Sequence, residues 1–238
     1  MSEQRQPPAV GGAGGVHQRQ YRFALARFER WALPRLAASL PRWVLPDDLT
    51  VLGLIASTGI GVSYVLTNED PAWLWVASGL LIVQWFGDSL DGTLARVRGI
   101  ERPRYGFYLD HLTDAYSTFA IGLGLGLSPF MLLSVALANV IAYLVMSINV
   151  YLETHVFGEF SFGYGLLGPT EVRVVLIALN TAALLWGTLP FGVRGVPATM
   201  YDIAGAATFV AMFGLLSVRV ARNLRTLGQL EPSGTRKP

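Results

Sequence analysis

Four aspartates in one short stretch have the type and spacing needed to bind metal ions. Asp88 and Asp91 are three residues apart and Asp110 and Asp114 are four apart, so each pair lies on one face of a helix. Each pair falls where a long apolar segment meets a short basic loop. A carboxylate at the centre of a bilayer costs about 2.5–3.5 kcal/mol, and less near an interface, so four of them call for a compensating cation. Hard divalent metals bind carboxylate oxygens, and we expect two of them here.

The segments that position these acids have the composition of membrane helices. Of the 238 residues, 52% are hydrophobic and only 14% are charged, and several uncharged runs are long enough to cross a bilayer. The fold class we predict is all-α, a polytopic membrane protein. The alternative is a soluble helical protein with an unusually apolar core. The chain has no cysteine, which excludes disulfides and thiol chemistry.

We predict four regions along the chain. Residues 1–16 form a disordered tail, 17–45 an interfacial amphipathic helix, 46–225 a catalytic domain of six transmembrane helices, and 226–238 a polar tail. The amphipathic helix should be interrupted near Pro34 and Pro41. Its alternative is a soluble helix that packs on the loops of the domain. The six spans are expected to start near residues 49, 72, 106, 130, 172 and 199.

The basic residues sort strongly across this topology. With six spans, all of the 18 lysines and arginines except Arg194 fall on the side of the two termini. The positive-inside rule makes that side cytoplasmic, and the four aspartates share it. We therefore expect an integral protein of a bacterial inner membrane whose site faces the cytoplasm.

The acids belong to a longer motif. It reads Asp88-x-x-Asp91-Gly92-x-x-Ala95-Arg96, followed by Gly106-x-x-x-Asp110-x-x-x-Asp114. This motif resembles the signature of the CDP-alcohol phosphotransferase family, and the six-span layout is similar to that family as well. The sequence departs from the family in two places. The segment between Arg96 and Gly106 is one residue longer than usual, and Asp47 replaces the asparagine of a common Pro-Asn-x-x-Thr segment.

The resemblance implies an enzyme that displaces CMP from a CDP-linked alcohol and joins the remaining phosphoryl alcohol to an acceptor hydroxyl. Two metals, Mg²⁺ or Mn²⁺, about 3.5–4 Å apart would stabilise the attacking and leaving oxygens. Asp88, Asp91 and Asp110 are the expected ligands. Asp114 is the expected base for the acceptor's proton and a possible further ligand. Gly106 is expected to let the second and third spans pack closely beside the site.

Other positions of the motif are expected to bind the donor. Gly92 leaves space for the nucleotide next to the backbone, and Ala95 is small for the same reason. Arg96 would pair with a donor phosphate, and Thr50 would line the cytidine pocket. Asp88 would contact the donor as well as the metal.

Residues outside the motif leave alternatives open. Glu171 and Arg173, at the start of the fifth span, are either an acceptor-binding pair or a helix-start acid and a cytoplasmic anchor. Arg98, Arg102 and Arg104 are expected to set topology and contact lipid headgroups. His111 is either a packing residue or a participant.

The substrate pair is the least determined part of this prediction. The length of the chain favours CDP-diacylglycerol as donor, with inositol phosphate, glycerol phosphate or serine as acceptor. The alternative is a CDP-choline or CDP-ethanolamine donor with diacylglycerol as acceptor. A different class, a cation-conducting or non-enzymatic membrane protein, is less compatible with four acids at one interface. Membrane lipids are expected partners, a homodimer is implied by the resemblance, and no nucleic-acid partner is indicated.

Overall fold

The computed structural model describes residues 25–157, 168–188, 191–193 and 196–231. The predicted tail 1–16, the first part of the predicted interfacial helix and most of the predicted C-terminal tail lie outside these residues. Helices account for most of what is described. They are α1 Ala26–Ser39, α2 Pro46–Leu66, α3 Trp73–Arg98, α4 Pro103–Gly126, α5 Leu133–Phe157, α6 Pro169–Trp186 and α7 Met200–Leu230.

The apolar helices confirm part of the predicted membrane topology. Among the described residues, α2, α5, α6 and α7 are long and apolar enough to cross a bilayer. Helices α3 and α4 have 26 and 24 residues, enough to span a bilayer at about 1.5 Å per residue, but they carry the four aspartates and fall outside this set. This is an integral membrane protein with several apolar helices. That α3 and α4 also cross the membrane remains a prediction.

Two local features differ from the sequence-based expectation. Helix α1 continues through Pro34 and ends at Ser39, before Pro41. Pro34 lies on the exposed face of α1, where the carbonyl that loses its hydrogen-bond partner can be solvated. The second feature is a short antiparallel hairpin, β1 Phe191–Val193 and β2 Val196–Ala198, which is a small exception to the all-α class.

Three helices begin with the same acid-based cap. Asp48 in α2, Glu171 in α6 and Asp202 in α7 each accept a backbone N–H from the residue just before their own helix. The donors are Leu45, Gly168 and Thr199, at 2.8, 2.9 and 2.8 Å. These contacts satisfy backbone groups that a helix start would otherwise leave without a partner. The cap also accounts for Asp202, a buried acid in the first turn of α7.

Glycines allow α2 to pack closely on both of its neighbours. A Cβ added to Gly87 of α3 would lie 2.6 Å from the Leu49 carbonyl oxygen, and one added to Gly124 of α4 would lie 2.3 Å from that of Gly61. Any larger residue would force these helices apart. The expectation for Gly106 is wrong, because no atom of the described residues lies within 4 Å of a Cβ built there. Gly106 is in the exposed first turn of α4, before the closely packed part of that helix begins.

A buried polar network stabilises the end of the helices remote from the aspartates. The side-chain oxygen of Asn180 accepts hydrogen bonds from Tyr64 at 3.2 Å and Tyr201 at 2.9 Å. Its amide nitrogen donates to Ser78 at 3.0 Å. Asn180 is fully buried, and these contacts link α2, α3, α6 and α7. With this end held together, the half of α3 that carries the acids has a defined position relative to α2 and α6.

Candidate active site

Asp88 belongs to a buried polar group between α3 and α6. Its carboxylate forms an ion pair with Arg173, which also donates a hydrogen bond to Gln84, one turn before Asp88. The side chains of Arg173 and Asp88 are 11% and 21% exposed. A buried guanidinium with two oxygen partners is well satisfied, so this contact fixes the first turn of α6 against α3.

Asp91 is held from the other side of α3, by α2. Thr50, in the first turn of α2, donates its hydroxyl to one carboxylate oxygen at 2.7 Å. The backbone N–H of Gly92 donates to the other at 2.5 Å. The predicted site residues Thr50 and Asp91 are therefore in direct contact.

The second pair of acids approaches from α4. Asp110 is partly exposed, and His111 Nδ1 lies 3.8 Å from one of its oxygens. Asp114, one turn further along α4, is half-buried. Its carboxylate is repelled by the charges of Asp88, Asp91 and Asp110 and attracted by Arg173. The two helices thus bring the four acids into one electrostatic cluster.

Negative charge exceeds positive charge in this cluster. Arg173 offsets one carboxylate, and a protonated His111 would offset a second. A half-buried group of acids with so little compensation favours cation binding. The donor atoms are carboxylate oxygens, the ligands that hard divalent metals prefer.

The acids are not arranged as a preformed metal cage. Among the described residues, no three acidic or histidine side chains form a group ready to hold a metal ion. Asp88 and Asp91 direct oxygens toward Arg173 and Thr50 instead. The residues fit divalent cations by charge and ligand type. Each carboxylate oxygen has two lone pairs, so these two contacts orient Asp88 and Asp91 and still leave acceptor positions for a cation.

The remaining motif residues border the acids. A Cβ built on Gly92 meets only the Arg96 guanidinium, at 3.5 Å, so the backbone there is open to a ligand. Arg96 is exposed and donates to Thr93 at 3.0 Å. Ala95 is half-buried beside it. A small depression between α2, α3 and α4 reaches Thr50, Asp88 and Asp91.

The structure separates the roles of Glu171 and Arg173. Both oxygens of Glu171 accept backbone N–H groups, from Gly168 at 2.9 Å and from Leu25 at 2.7 Å. Glu171 is buried and links the start of α6 to the start of α1, which favours the helix-start alternative for this residue. Arg173, in contrast, reaches the aspartate cluster.

Tyrosines on α5 are site neighbours that the sequence-based prediction missed. Tyr143 and Tyr151 lie eight residues apart on α5 and both interact with the charge of Asp114. The Tyr151 ring is 5.2 Å from that of His111, which stacks on Phe107 at 4.1 Å. In an apolar helix such spacing also describes ordinary packing, so it carried no recognisable signal.

The two departures from the family signature meet at the rim of the site. Asp47 forms an ion pair with Arg102, which comes from the longer loop. The Arg102 guanidinium also lies 3.9 Å over the Tyr105 ring. The hydrogen bond from Arg102 to Asp47 raises the pKa of the arginine further above its ordinary value, so the guanidinium stays charged. Both side chains are about half exposed, at 51% and 43%.

An apolar groove runs beside Arg173. It lies between α1, α3 and α6, has a volume of about 440 Å³, and is lined by apolar surface of residues including Phe28, Ile82, Trp85 and Ile177. Its polar end is formed by Thr170 and Arg173. The apolar groove thus ends at Arg173, the residue that pairs with Asp88.

Fold and site together define a class, a helical membrane protein with a carboxylate cluster at the ends of its helices. Residues 43–221 match the family described as CDP-alcohol phosphatidyltransferase, so the chain belongs to this family. That family comprises CDP-alcohol phosphotransferase enzymes and is generally metal-dependent. The family assignment favours the enzyme over the cation-conducting alternative.

Its relatives divide between two substrate types. Cholinephosphotransferase 1 of Danio rerio is 28% identical over 215 residues, 81% of this chain and 54% of the relative. Phosphatidylinositol phosphate synthase of Cutibacterium acnes is 34% identical over 94 residues, 40% of this chain and 43% of the relative. Archaetidylinositol phosphate synthase of Pyrococcus horikoshii is 26% identical over 140 residues, 58% and 71% of the two chains. The chain spans about half the length of the first of these relatives.

Proposed function

We propose that this protein transfers a substituted phosphate group from a CDP-alcohol to an acceptor hydroxyl and releases CMP, as a step of phospholipid biosynthesis. The observation that carries the proposal is the convergence of four carboxylates from α3 and α4, with Arg173 paired to Asp88 among the described residues. The active site lies at the cytoplasmic rim of six spans, with α3 and α4 crossing the membrane beside the four apolar helices.

The acids divide into metal ligands and a base. Asp88, Asp91 and Asp110 would hold two divalent cations, Mg²⁺ or Mn²⁺, and Asp114 would be a further ligand. When bound, such cations neutralise the donor's diphosphate and stabilise the charge that develops on the attacking and leaving oxygens. Thr50 orients Asp91, and Arg173 with Gln84 orients Asp88.

Asp114 accepts the proton of the acceptor hydroxyl. The new bond joins the acceptor oxygen to the transferred phosphorus, and the bond from that phosphorus to the CMP oxygen breaks. Asp114 is half-buried one turn beyond Asp110 on the same face of α4, so its carboxylate lies beside the proposed metal ligands, where it can take a proton from an acceptor hydroxyl.

The donor lies against the open stretch of α3. Gly92 and Ala95 leave room for the nucleotide beside the backbone, and the exposed Arg96 pairs with a donor phosphate. Thr50 and Asp88 border the same depression and complete the donor-binding set.

The ion pairs favour an acceptor without a phosphate group. A phosphorylated acceptor needs several cations beyond those that bind the donor. Arg173 and Arg219 are two of the cations that sequence alone offers for this task, and both already pair with carboxylates. The apolar groove that ends at Arg173 suits an acyl chain of a lipid substrate. We therefore place diacylglycerol first as acceptor and a CDP-amino alcohol first as donor.

CDP-diacylglycerol is the second candidate donor. The same apolar groove accepts an acyl chain of that lipid equally well, and the similarity to a phosphatidylinositol phosphate synthase supports it. In that case Arg173 would leave Asp88 on metal binding and contact a small acceptor. The predicted pairing of Glu171 with Arg173 in acceptor binding is less supported, because Glu171 is occupied by backbone groups.

The two candidates are separated by assaying CMP. The purified full chain is given CDP-choline or CDP-ethanolamine with diacylglycerol in one series. In the other it is given CDP-diacylglycerol with inositol phosphate, glycerol phosphate or serine. We expect CMP in the first series with Mg²⁺ or Mn²⁺ present. CMP only in the second series would reverse the order of the candidates, and none in either would contradict the proposed function.

A further inference from the structure

Arg98 makes contacts that its predicted role does not explain. We propose that Arg98 is a positioning residue, which holds the segment between α1 and α2 against the end of α3 and so places Thr50 against Asp91. The inference rests on the proposed function for its catalytic consequence. The geometry that carries it is independent of that function.

The guanidinium of Arg98 binds four backbone carbonyls of one short segment. Nη2 donates to the carbonyls of Leu40 at 3.2 Å and Pro41 at 2.8 Å. Nη1 donates to those of Val44 and, at 3.5 Å, Arg42. This segment follows the end of α1, where backbone carbonyls have no helical partner. The planar fork of an arginine carries five N–H donors and can satisfy several carbonyls at once.

The held segment leads directly into the site. Leu45 is the N-cap residue of α2, and its backbone N–H donates to the Asp48 carboxylate at 2.8 Å. Helix α2 starts at the next residue. Thr50 then meets Asp91 within the first turns of α2. Asp91 and Arg98 are both on α3. The segment and the start of α2 are therefore bound to α3 at two points, at Arg98 and at Asp91.

Apolar packing holds α1, α2 and α3 together between these two points of contact. Leu49 of α2 is buried with Leu90 and Leu94 of α3 and Ala37 of α1. This packing sets the distance between the helices but is not directional. The four hydrogen bonds of Arg98 add direction, because they fix where the segment lies along α3.

Charge alone does not account for Arg98. As a topology determinant or headgroup contact it would direct its donors outward, and a lysine would serve as well. The structure instead directs them to carbonyls of its own chain. A lysine keeps the charge but offers a single nitrogen on a flexible stem, which cannot reproduce the fork. Arg98→Lys therefore separates the two explanations.

The test compares charge-preserving variants of the full chain in the CMP assay. We expect Arg98→Lys to lower kcat/KM for the CDP donor roughly ten- to a hundredfold, the scale of a small misplacement of site groups. Arg104→Lys changes an exposed arginine in the first turn of α4. It is the matched control and should leave kcat/KM unchanged. Because Arg98 acts through Thr50, adding Arg98→Lys to Thr50→Val should cause little further loss. Equal activity of the two lysine variants, or losses that multiply in the double variant, would overturn the proposal.

A distance measurement tests the same inference without activity. The chain has no cysteine, so Trp43→Cys and Val97→Cys, both at exposed positions, allow two spin labels to be placed specifically. With Arg98 present we expect a narrow distance distribution between the segment and α3, and with Arg98→Lys a broad one. An unchanged distribution would reject the positioning role even if the variant is unstable or inactive. If Arg98→Lys broadens the distance distribution while the wild-type protein releases no CMP, the positioning role is retained and the proposed function is rejected.

Discussion

Among the described residues, two carboxylate–arginine ion pairs join one helix to another, and their surroundings differ. Glu153 of α5 pairs with Arg219 of α7 and also accepts hydrogen bonds from Asn149 and Asn223. Its side chain is only 8% exposed. Asp88 pairs with Arg173 at 21% exposure, but Asp91, Asp110 and Asp114 add three further negative charges nearby.

The difference distinguishes a structural ion pair from a site. The negative charge of Glu153 is balanced by the positive charge of Arg219, and two side-chain amides supply further hydrogen bonds. This pair therefore needs no additional cation. At Asp88 the same chemistry leaves an excess of acid, which is costly at the edge of a membrane unless a cation joins it. The buried arginine is common to both, and the balance of charge around it is what points to function.

Removal of divalent cations should have the largest effect and should affect only the acid-rich region. We expect EDTA to abolish CMP release and Mg²⁺ or Mn²⁺ to restore it, because the excess charge of the aspartates needs compensation. Circular dichroism should show that the helices, including the α5–α7 contact, remain folded. Full turnover in the presence of chelator would contradict the two-metal proposal.

Asp114→Asn should have the next largest effect. Loss of the base is expected to lower kcat by roughly 10²–10⁴, while calorimetry shows donor binding largely retained. Glu69→Gln, an exposed acid in the turn between α2 and α3, serves as the control and should behave as wild type. Near-normal CMP release by Asp114→Asn would remove this residue as the base.

Glu153→Gln should weaken the fold without altering the chemistry. Breaking a buried pair leaves Arg219 uncompensated, and we expect about 3 kcal/mol of destabilisation, seen as a lower melting temperature in detergent. The dependence of activity on Mg²⁺ should stay unchanged. Arg222→Gln, at an exposed position of α7, is the control. A changed metal requirement in Glu153→Gln would show that the two regions are not independent.

The rim pair should give the smallest effect. Asp47 and Arg102 are half exposed, so the pair is expected to contribute no more than about 1 kcal/mol, and less at high salt. Asp47→Asn introduces the residue common in the family and should shift the donor KM only slightly. Combining it with Arg102→Gln in a double-mutant cycle at low and high salt measures the coupling. A large, salt-insensitive coupling would place this pair inside the site.

The acids were predictable because their signal is local. Their spacing puts each pair on one helical face, and their position beside apolar runs marks them as costly. The tyrosines of α5 gave no comparable signal, since a tyrosine on an apolar helix is equally compatible with packing. The positions of Asp47 and Arg102 were read as separate departures from the family, and only the folded chain shows that they pair with each other.

Hydropathy, helical spacing and motif are properties of neighbouring residues, and they were enough to predict the helical membrane class, the four acids and the family. The contacts of the long charged side chains became known only from the packing of the helices. Arg98 binds carbonyls of its own chain, Arg219 pairs with Glu153, and Glu171 accepts backbone N–H groups. A long charged side chain is flexible, so with the same local sequence it can contact lipid, substrate or protein. The packing of distant helices selects which of these it contacts.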